Sequence, residues 1–337
     1  MVISYRNDAP IEQVEELIEG LRTYCANIQV VKGEEASLIC LVGETKQIDE
    51  SAIYVYPWII NVARVSTPYK LVSREFKKEN TIVSIKGVEI GGEKIVIMAG
   101  PCAVESREQI LSIASSLKLA GVDVLRGGAY KMRTSPYSFQ GLGAEALKYL
   151  KDASEEYLLP TVCEIVSVND LEEYLDKCDI IQVGARNMQN FDLLKALGKV
   201  NKPILLKRGM AASIDELLMA AEYIVSNGNP NVILCERGIK TFEKTTRNTL
   251  DLSAVPVLKK LTHLPVIVDP SHATGKKEYV MPMSLAAIAC GADGLLLEVH
   301  NNPLYAKSDA SQALTIDDYI ELREKIGGIA KVVGRKL

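Results

Sequence analysis

VDVLRGGAYKMRTSPYSFQG, residues 122–141, begins as an apolar run and becomes a basic, glycine-framed loop. The run ends on Arg126, and Lys131, Arg133, Thr134 and Ser135 follow close behind. Glycines leave backbone amides approachable. Cations and hydroxyls around such amides suit a phosphate or a carboxylate. A solvated basic surface loop has the same composition, so this stretch alone leaves both readings open.

The same unit recurs along the chain. Short apolar, β-branched runs fall at 95–99, 122–125, 161–163, 180–183, 204–206, 232–235, 266–268 and 294–297. Helical-period stretches fill the gaps at 107–119, 144–157, 171–177, 191–197, 214–226, 254–261 and 282–290, and a last one spans 316–326. This rhythm predicts an α/β chain with a (β/α)8 TIM barrel. A doubly wound open sheet is the competing fold. It would carry a glycine-rich phosphate turn after its first strand, which the sequence lacks.

Residues 1–66 read as a separate α+β unit. A short strand at 1–5 is followed by Asp8 and Pro10, expected to open a helix over Ile11, Val14, Leu17, Ile18 and Leu21. Strands are expected at 28–32, 37–42 and 59–65, with a second helix at 46–55. The order βαββαβ is that of a ferredoxin-like unit. Residues 67–80 are polar and read as a linker. Residues 81–337 hold the barrel, led in by a hairpin at 81–85 and 88–90.

Composition limits the function. The chain has 337 residues and a net charge of −4, so no global basic field recruits nucleic acid. No apolar run reaches the roughly 18 residues of a membrane helix, and the first residues do not read as a signal peptide. Seven scattered cysteines without a CxxC pair fit a reduced, cytoplasmic protein.

In a barrel the C-terminal strand ends build the active site. Cys102, Arg126, Glu164, Arg186, Lys207, Glu236 with Arg237, Asp269 with His272, and Glu298 all follow strands here. One subset is cationic: Arg126, Lys131, Arg133, Arg186, Lys207 and Arg237. Arginine forks and lysine point charges at one rim imply substrates with several anionic groups, although ion pairs with Glu164, Glu236 and Asp269 would also use some of them. The other subset is Cys102, His272, Glu298 and Asp309. Thiolate, imidazole and carboxylates together can hold a divalent transition metal, but the irregular spacing alone does not specify one. His263 reads as structural and His300 as a neighbour of the metal set.

The motifs AGPCAVES (99–106), LRGGAYKMRTSPYSFQGLG (125–143), IQVGARNMQNF (181–191), LLKRG (205–209), ILCERGIKTFEKTTRNTLDLSAVP (233–256), VDPSHATG (268–275) and LEVHNNP…SDASQAL (297–314) resemble the 3-deoxy-D-arabino-heptulosonate 7-phosphate (DAHP) synthase family, in its short form with an N-terminal ferredoxin-like regulatory domain. The resemblance implies condensation of phosphoenolpyruvate with erythrose 4-phosphate. It implies one divalent metal ion (Mn2+, Fe2+, Co2+ or Zn2+) on Cys102, His272, Glu298 and Asp309. Arg126, Lys131, Arg186, Lys207 and Arg237 would hold phosphoenolpyruvate, and Arg133, Thr134 and Ser135 the sugar phosphate. Lys131 would donate a proton or stabilise developing charge. A homotetramer and a tyrosine or phenylalanine effector on residues 1–66 are further implications. Met132 departs from the proline usual in the family, Asn301-Asn302 from a proline-containing turn, and Ala310 from a common glycine. Two alternatives are a 3-deoxy-D-manno-octulosonate 8-phosphate synthase acting on arabinose 5-phosphate, whose loop reads Lys-Ala-Asn-Arg-Ser, and a non-catalytic, amino-acid-binding barrel.

Overall fold

The structure is a computed structural model that describes all residues except 26, 34, 44, 65–67, 132–134 and 136, together with the side chain at 46. The chain divides into two compact units, Met1–Lys78 and Glu79–Leu337.

The first unit contains β1 (Val2–Arg6), α1 (Ile11–Leu21), β2 (Asn27–Lys32), β3 (Ala36–Val42), α2 (Glu50–Ile53) and β4 (Ile59–Ala63). The strands pair antiparallel in the order β2-β3-β1-β4. Val14, Leu17 and Leu21 recur at helical spacing and bury one face of α1. They join Ile3, Ile39, Leu41 and Trp58 in a core, where each fully buried aliphatic side chain contributes about 1.5–3 kcal/mol. Two expectations are corrected. Asp8 does not cap α1; it pairs with Arg6, and Pro10 holds the cap position without a side-chain bond. The second helix does not start at 46. Residues Thr45–Gln47 form a 3-10 turn, and the Asp49 carboxylate accepts from Ser51 N at 2.9 Å to start a short helix. Aspartate competes with the backbone in this way and favours caps over helix interiors.

The second unit begins with β5 (Val83–Ile85) and β6 (Val88–Ile90). Lys86 and Gly87 both have positive φ, 45° and 82°, as a two-residue hairpin turn requires. Eight strands then alternate with helices: β7 (Val96–Gly100), α3 (Arg107–Leu119), β8 (Val124–Arg126), α4 (Ala144–Tyr157), β9 (Thr161–Ile165), α5 (Leu171–Lys177), β10 (Ile180–Val183), α6 (Phe191–Leu197), β11 (Ile204–Lys207), α7 (Ile214–Ser226), β12 (Val232–Glu236), α8 (Ala254–Leu261), β13 (Val266–Val268), α9 (Pro270–Thr274), α10 (Lys277–Ala289), β14 (Gly294–Glu298) and α11 (Ile316–Val332). The eight strands pair in parallel and close into a barrel. They are buried on both faces, which explains their continuous apolar runs.

The hairpin seals one end of the barrel. Val83 and Ile90 join a cluster with Val96, Val124, Ile180 and Ile233 from its strands. Thr81 N donates to His263 O at 2.7 Å, and Thr81 Oγ1 lies 2.8 Å from His263 Nδ1, so His263 is structural as expected. The opposite end, where the strands finish, carries the polar residues. Helix α9 was not expected: at five residues it is too short to show a helical period. Helix α10 starts five residues before Pro282 rather than at it.

Candidate active site

Strand β7 ends at Gly100, where φ is 156° and an added Cβ would lie 2.1 Å from Arg126 O. Only glycine lets β8 approach so closely, and Cys102 follows directly. Glu298 closes β14. Asp309 lies between β14 and α11 with φ 50° and ψ 34°, a left-handed conformation that aspartate tolerates better than most non-glycine residues. One ligand atom each from Cys102, Glu298 and Asp309 falls within 4.8 Å of the others. Cys102 Sγ donates to Asp309 Oδ2 at 3.1 Å.

His272 reaches this group from α9. Asp269 caps that helix: its Oδ1 accepts from His272 N at 2.9 Å, and its Oδ2 faces Nδ1 at 2.7 Å. The ring is thereby turned so that Nε2 meets Glu298 Oε1 at 3.1 Å. A carboxylate behind an imidazole fixes the orientation of a metal ligand in this way. His272 touches Glu298 but falls outside the mutual 4.8 Å set of the other three.

Burial, then the Glu298 charge, pushes the Cys102 thiol up to about 12. Its proton therefore stays on sulfur unless a cation takes the proton's place. Burial also opposes charge on Glu298, but His272 and Arg126 outweigh it and hold the carboxyl well below the usual range. Thiol, carboxylates and a pre-oriented imidazole form a donor set that fits a divalent transition ion.

The cations differ in their partners. Arg126 Nη1 donates to Glu298 Oε1 at 2.9 Å, both groups buried. Lys207 pairs with Asp269, also buried. Arg237 is buried and donates to the carbonyls of His272 and Gly238 at 3.2 and 3.3 Å rather than to a carboxylate. Burial lowers its pKa, so an anion beside it would be favoured. Burial opposes the Lys131 charge, but Cys102 and Glu298 more than offset this and raise its pKa. Gly128 makes room for its stem: an added Cβ would lie 3.3 Å from Lys131 Cδ.

Lys131 sits on the closed neck of its loop. Tyr130 bridges Gly141, Lys131 N donates to Gln140 O at 2.8 Å, and Gly143 N donates to Ala129 O at 3.0 Å. Gly141 has φ 95°, and an added Cβ would lie 2.1 Å from Ala129 O. Ser135 is half-buried beyond the neck, whereas Met132, Arg133 and Thr134 lie outside the described residues.

A cavity of about 560 Å³ opens over this region. Lys131, Arg186, Lys207, Arg237, His272 and Asp309 line it, as do Glu164, Lys240, Arg247 and Asn248. Sequence reasoning missed Lys240 and Arg247. Both sit in the polar loop that follows β12, where no spacing marks them. It also missed Arg208, whose Nη1 lies 2.9 Å from both Glu236 Oε2 and Asp251 Oδ2. Glu236 thus pairs with Arg208 and leaves Arg237 to the cavity.

Residues 62–333 match the DAHP synthetase I family, and residues 1–67 match the DAHP synthase ferredoxin-like domain. The chain belongs to the DAHP synthetase I family. Phospho-2-dehydro-3-deoxyheptonate aldolase of Thermotoga maritima is 45% identical over 337 residues, the full length of both chains. A 2-dehydro-3-deoxyphosphooctonate aldolase of Geobacter sulfurreducens is 30% identical, covering 74% of this chain and 98% of its own. The crystal structure of the Thermotoga maritima DAHP synthase superposes with a TM-score of 0.80, covering 99% of this chain and 98% of that one. A truncated form of 3-deoxy-D-arabino-heptulosonate 7-phosphate synthase from the same organism gives 0.75 at 48% identity, covering 80% and 98%. The expected family, the barrel with a ferredoxin-like domain, and enzyme status as a DAHP synthase of the transferase class are borne out. Among the described residues, no helix is long and apolar enough to cross a membrane.

Proposed function

We propose that this DAHP synthetase I family enzyme condenses phosphoenolpyruvate with erythrose 4-phosphate and water, releasing phosphate. Carbon 3 of phosphoenolpyruvate bonds to the aldehyde carbon, water adds at carbon 2, and the carbon–oxygen bond to phosphate breaks. The observation that carries this reading is the cavity, where Lys131, Arg186, Lys207 and Arg237 face one space beside the cluster of Cys102, Glu298 and Asp309. A carboxylate and a phosphate borne by the same carbon need several fixed cations, and a desolvated site strengthens each contact.

Cys102, His272, Glu298 and Asp309 would hold a divalent metal ion, which when bound supplies Lewis-acid polarisation of the acceptor carbonyl. Asp269 keeps His272 turned toward Glu298. Arg126 neutralises Glu298 from a buried position that is not among the residues lining the cavity. Lys131 keeps its proton at neutral pH and can deliver it to the forming hydroxyl or hold that oxygen by a charged hydrogen bond. Arg133, Thr134 and Ser135 are assigned to the acceptor's phosphate by their place in the family motif. The match of residues 1–67 to a ferredoxin-like domain supports feedback control by an aromatic amino acid, and a homotetramer is the proposed assembly.

The test is phosphate release from phosphoenolpyruvate with erythrose 4-phosphate and arabinose 5-phosphate compared as acceptors. It is run after chelation and again after adding Mn2+. Metal-restored turnover with the four-carbon sugar supports the proposal. Preference for the five-carbon sugar would identify the octulosonate activity instead, and no turnover with any metal would leave a binding protein. In the same assay, a Lys131→Ala variant with undiminished turnover at saturating substrate removes the role given to Lys131.

A further inference from the structure

Arg247 is tied to the candidate metal cluster from several sides. Its backbone N donates to Thr274 O at 3.0 Å, at the end of the helix that carries His272. Gly275 accommodates its stem, since an added Cβ there would lie 2.6 Å from Arg247 Cβ. Its Nη1 donates to Asp309 Oδ1 and Gln312 Oε1, both at 3.2 Å. Gln312 in turn donates through Nε2 to Glu298. Arg247 also lines the cavity, and its side chain remains 41% exposed.

The Arg247 charge therefore faces two anions that cannot both hold it fully. One is the Asp309 carboxylate, kept in a left-handed backbone conformation. The other is whatever anion enters the cavity. A cation bound by Asp309 would satisfy that carboxylate and release Arg247 toward the cavity. An anion bound by Arg247 would release Asp309 toward a cation. We propose that Arg247 is a positioning residue that couples the two sites, so that a divalent metal and phosphoenolpyruvate each strengthen binding of the other by exchanging Arg247 between Asp309 and the substrate. The proposal rests on the metal-dependent reading above. By linkage the factor must be equal in both directions, and couplings of this kind are typically about 5- to 150-fold.

The experiment is calorimetric titration of the full-length, chelator-stripped protein. Mn2+ is titrated with and without phosphoenolpyruvate, and phosphoenolpyruvate with and without Mn2+, for wild type, Arg247→Gln and Arg247→Lys. Wild type is expected to show roughly tenfold mutual enhancement. Arg247→Gln is expected to bind Mn2+ alone more tightly than wild type, because a competing cation is gone, and to lose the enhancement. Arg247→Lys, which keeps the charge, is expected to retain part of it. Weaker Mn2+ binding by Arg247→Gln would mean that Arg247 merely props Asp309 in place, and would overturn the proposal. Enhancement that survives in Arg247→Gln would assign the coupling to direct metal–substrate contact, with the same consequence. Absence of enhancement in wild type would also overturn it. Turnover of wild type with Mn2+ is measured on the same samples, so failure of the proposed reaction is read separately.

Discussion

Replacing Arg126 with methionine should be among the most destabilising single changes in the barrel unit, and the structure gives the size. Arg126 is 5% exposed, Glu298 is fully buried, and their charged atoms are 2.9 Å apart. At an effective dielectric constant of about 20 their attraction is about 6 kcal/mol. Methionine fills much of the lost volume but leaves Glu298 with His272 and Gln312 as its remaining partners. Breaking a buried pair from one side typically costs about 3–5 kcal/mol, which is the expected loss for Arg126→Met. Adding Glu298→Gln removes the stranded charge and should recover at least about 2 kcal/mol. The assay is urea denaturation in chelator, followed by far-ultraviolet circular dichroism. The single tryptophan, Trp58, lies in the other unit and reports on that unit. A cost below about 1 kcal/mol, or a double variant no more stable than the single one, would refute the claim that Glu298 is charged and held by Arg126.

Two other substitutions test different parts of the molecule. At Gly184 an added Cβ would lie 2.0 Å from Glu164 Oε1, so Gly184→Ala must displace Glu164 from Gln182 Nε2, now 3.0 Å away. The cost to stability should be about 1 kcal/mol by thermal melting, with the larger effect, under the proposed function, about tenfold on KM for phosphoenolpyruvate; a melting loss with unchanged KM would contradict it. Asp318 closes the capping box of α11 with Thr315 and pairs with Lys277 at 2.6 Å. Burial opposes its charge, but Lys277 and Thr315 hold its carboxyl below the usual value. Its contribution is therefore present above the unfolded aspartate pKa and lost as pH falls through the lower folded one. Asp318→Asn should cost about 1 kcal/mol at pH 7, with the gap to wild type narrowing in acid; a gap that widens on acidification would refute this.

The barrel was legible because parallel strands buried on both faces must be written as apolar, β-branched runs, and the chain repeats them eight times with helical stretches between. The positions of Arg126, Lys207, Arg237 and Glu298 were legible for a related reason. A charged residue ending such a run has nowhere to go but the open end of the barrel. What these charges do to one another was not legible. Glu298 serves Arg126 and His272 at once, and Lys207 belongs to Asp269, because strands distant in sequence become neighbours only on closure. Helix α9 and the loop carrying Lys240 and Arg247 stayed hidden because their placement depends on tertiary contacts: Asn248 N and Arg247 N bond to the carbonyls that end α9. In the first unit, Asp8 and Asp49 show the limit of capping rules, since each could start a helix and only Asp49 does.

The closed neck at Tyr130 and Gly141 has a consequence for how this chain can change. Residues 129–131 and 140–143 are pinned to each other, so whatever replaces the stretch between them is attached to a finished frame. Under the proposed function, Lys131 belongs to that frame, Arg126 to the strand before it, and Arg133, Thr134 and Ser135 to the replaceable part. The loop is then a socket with an exchangeable insert. If those residues read the acceptor, as proposed, a lineage or an engineer would trade one acceptor sugar for another by rewriting a few residues, with the half of the reaction common to all of them left untouched.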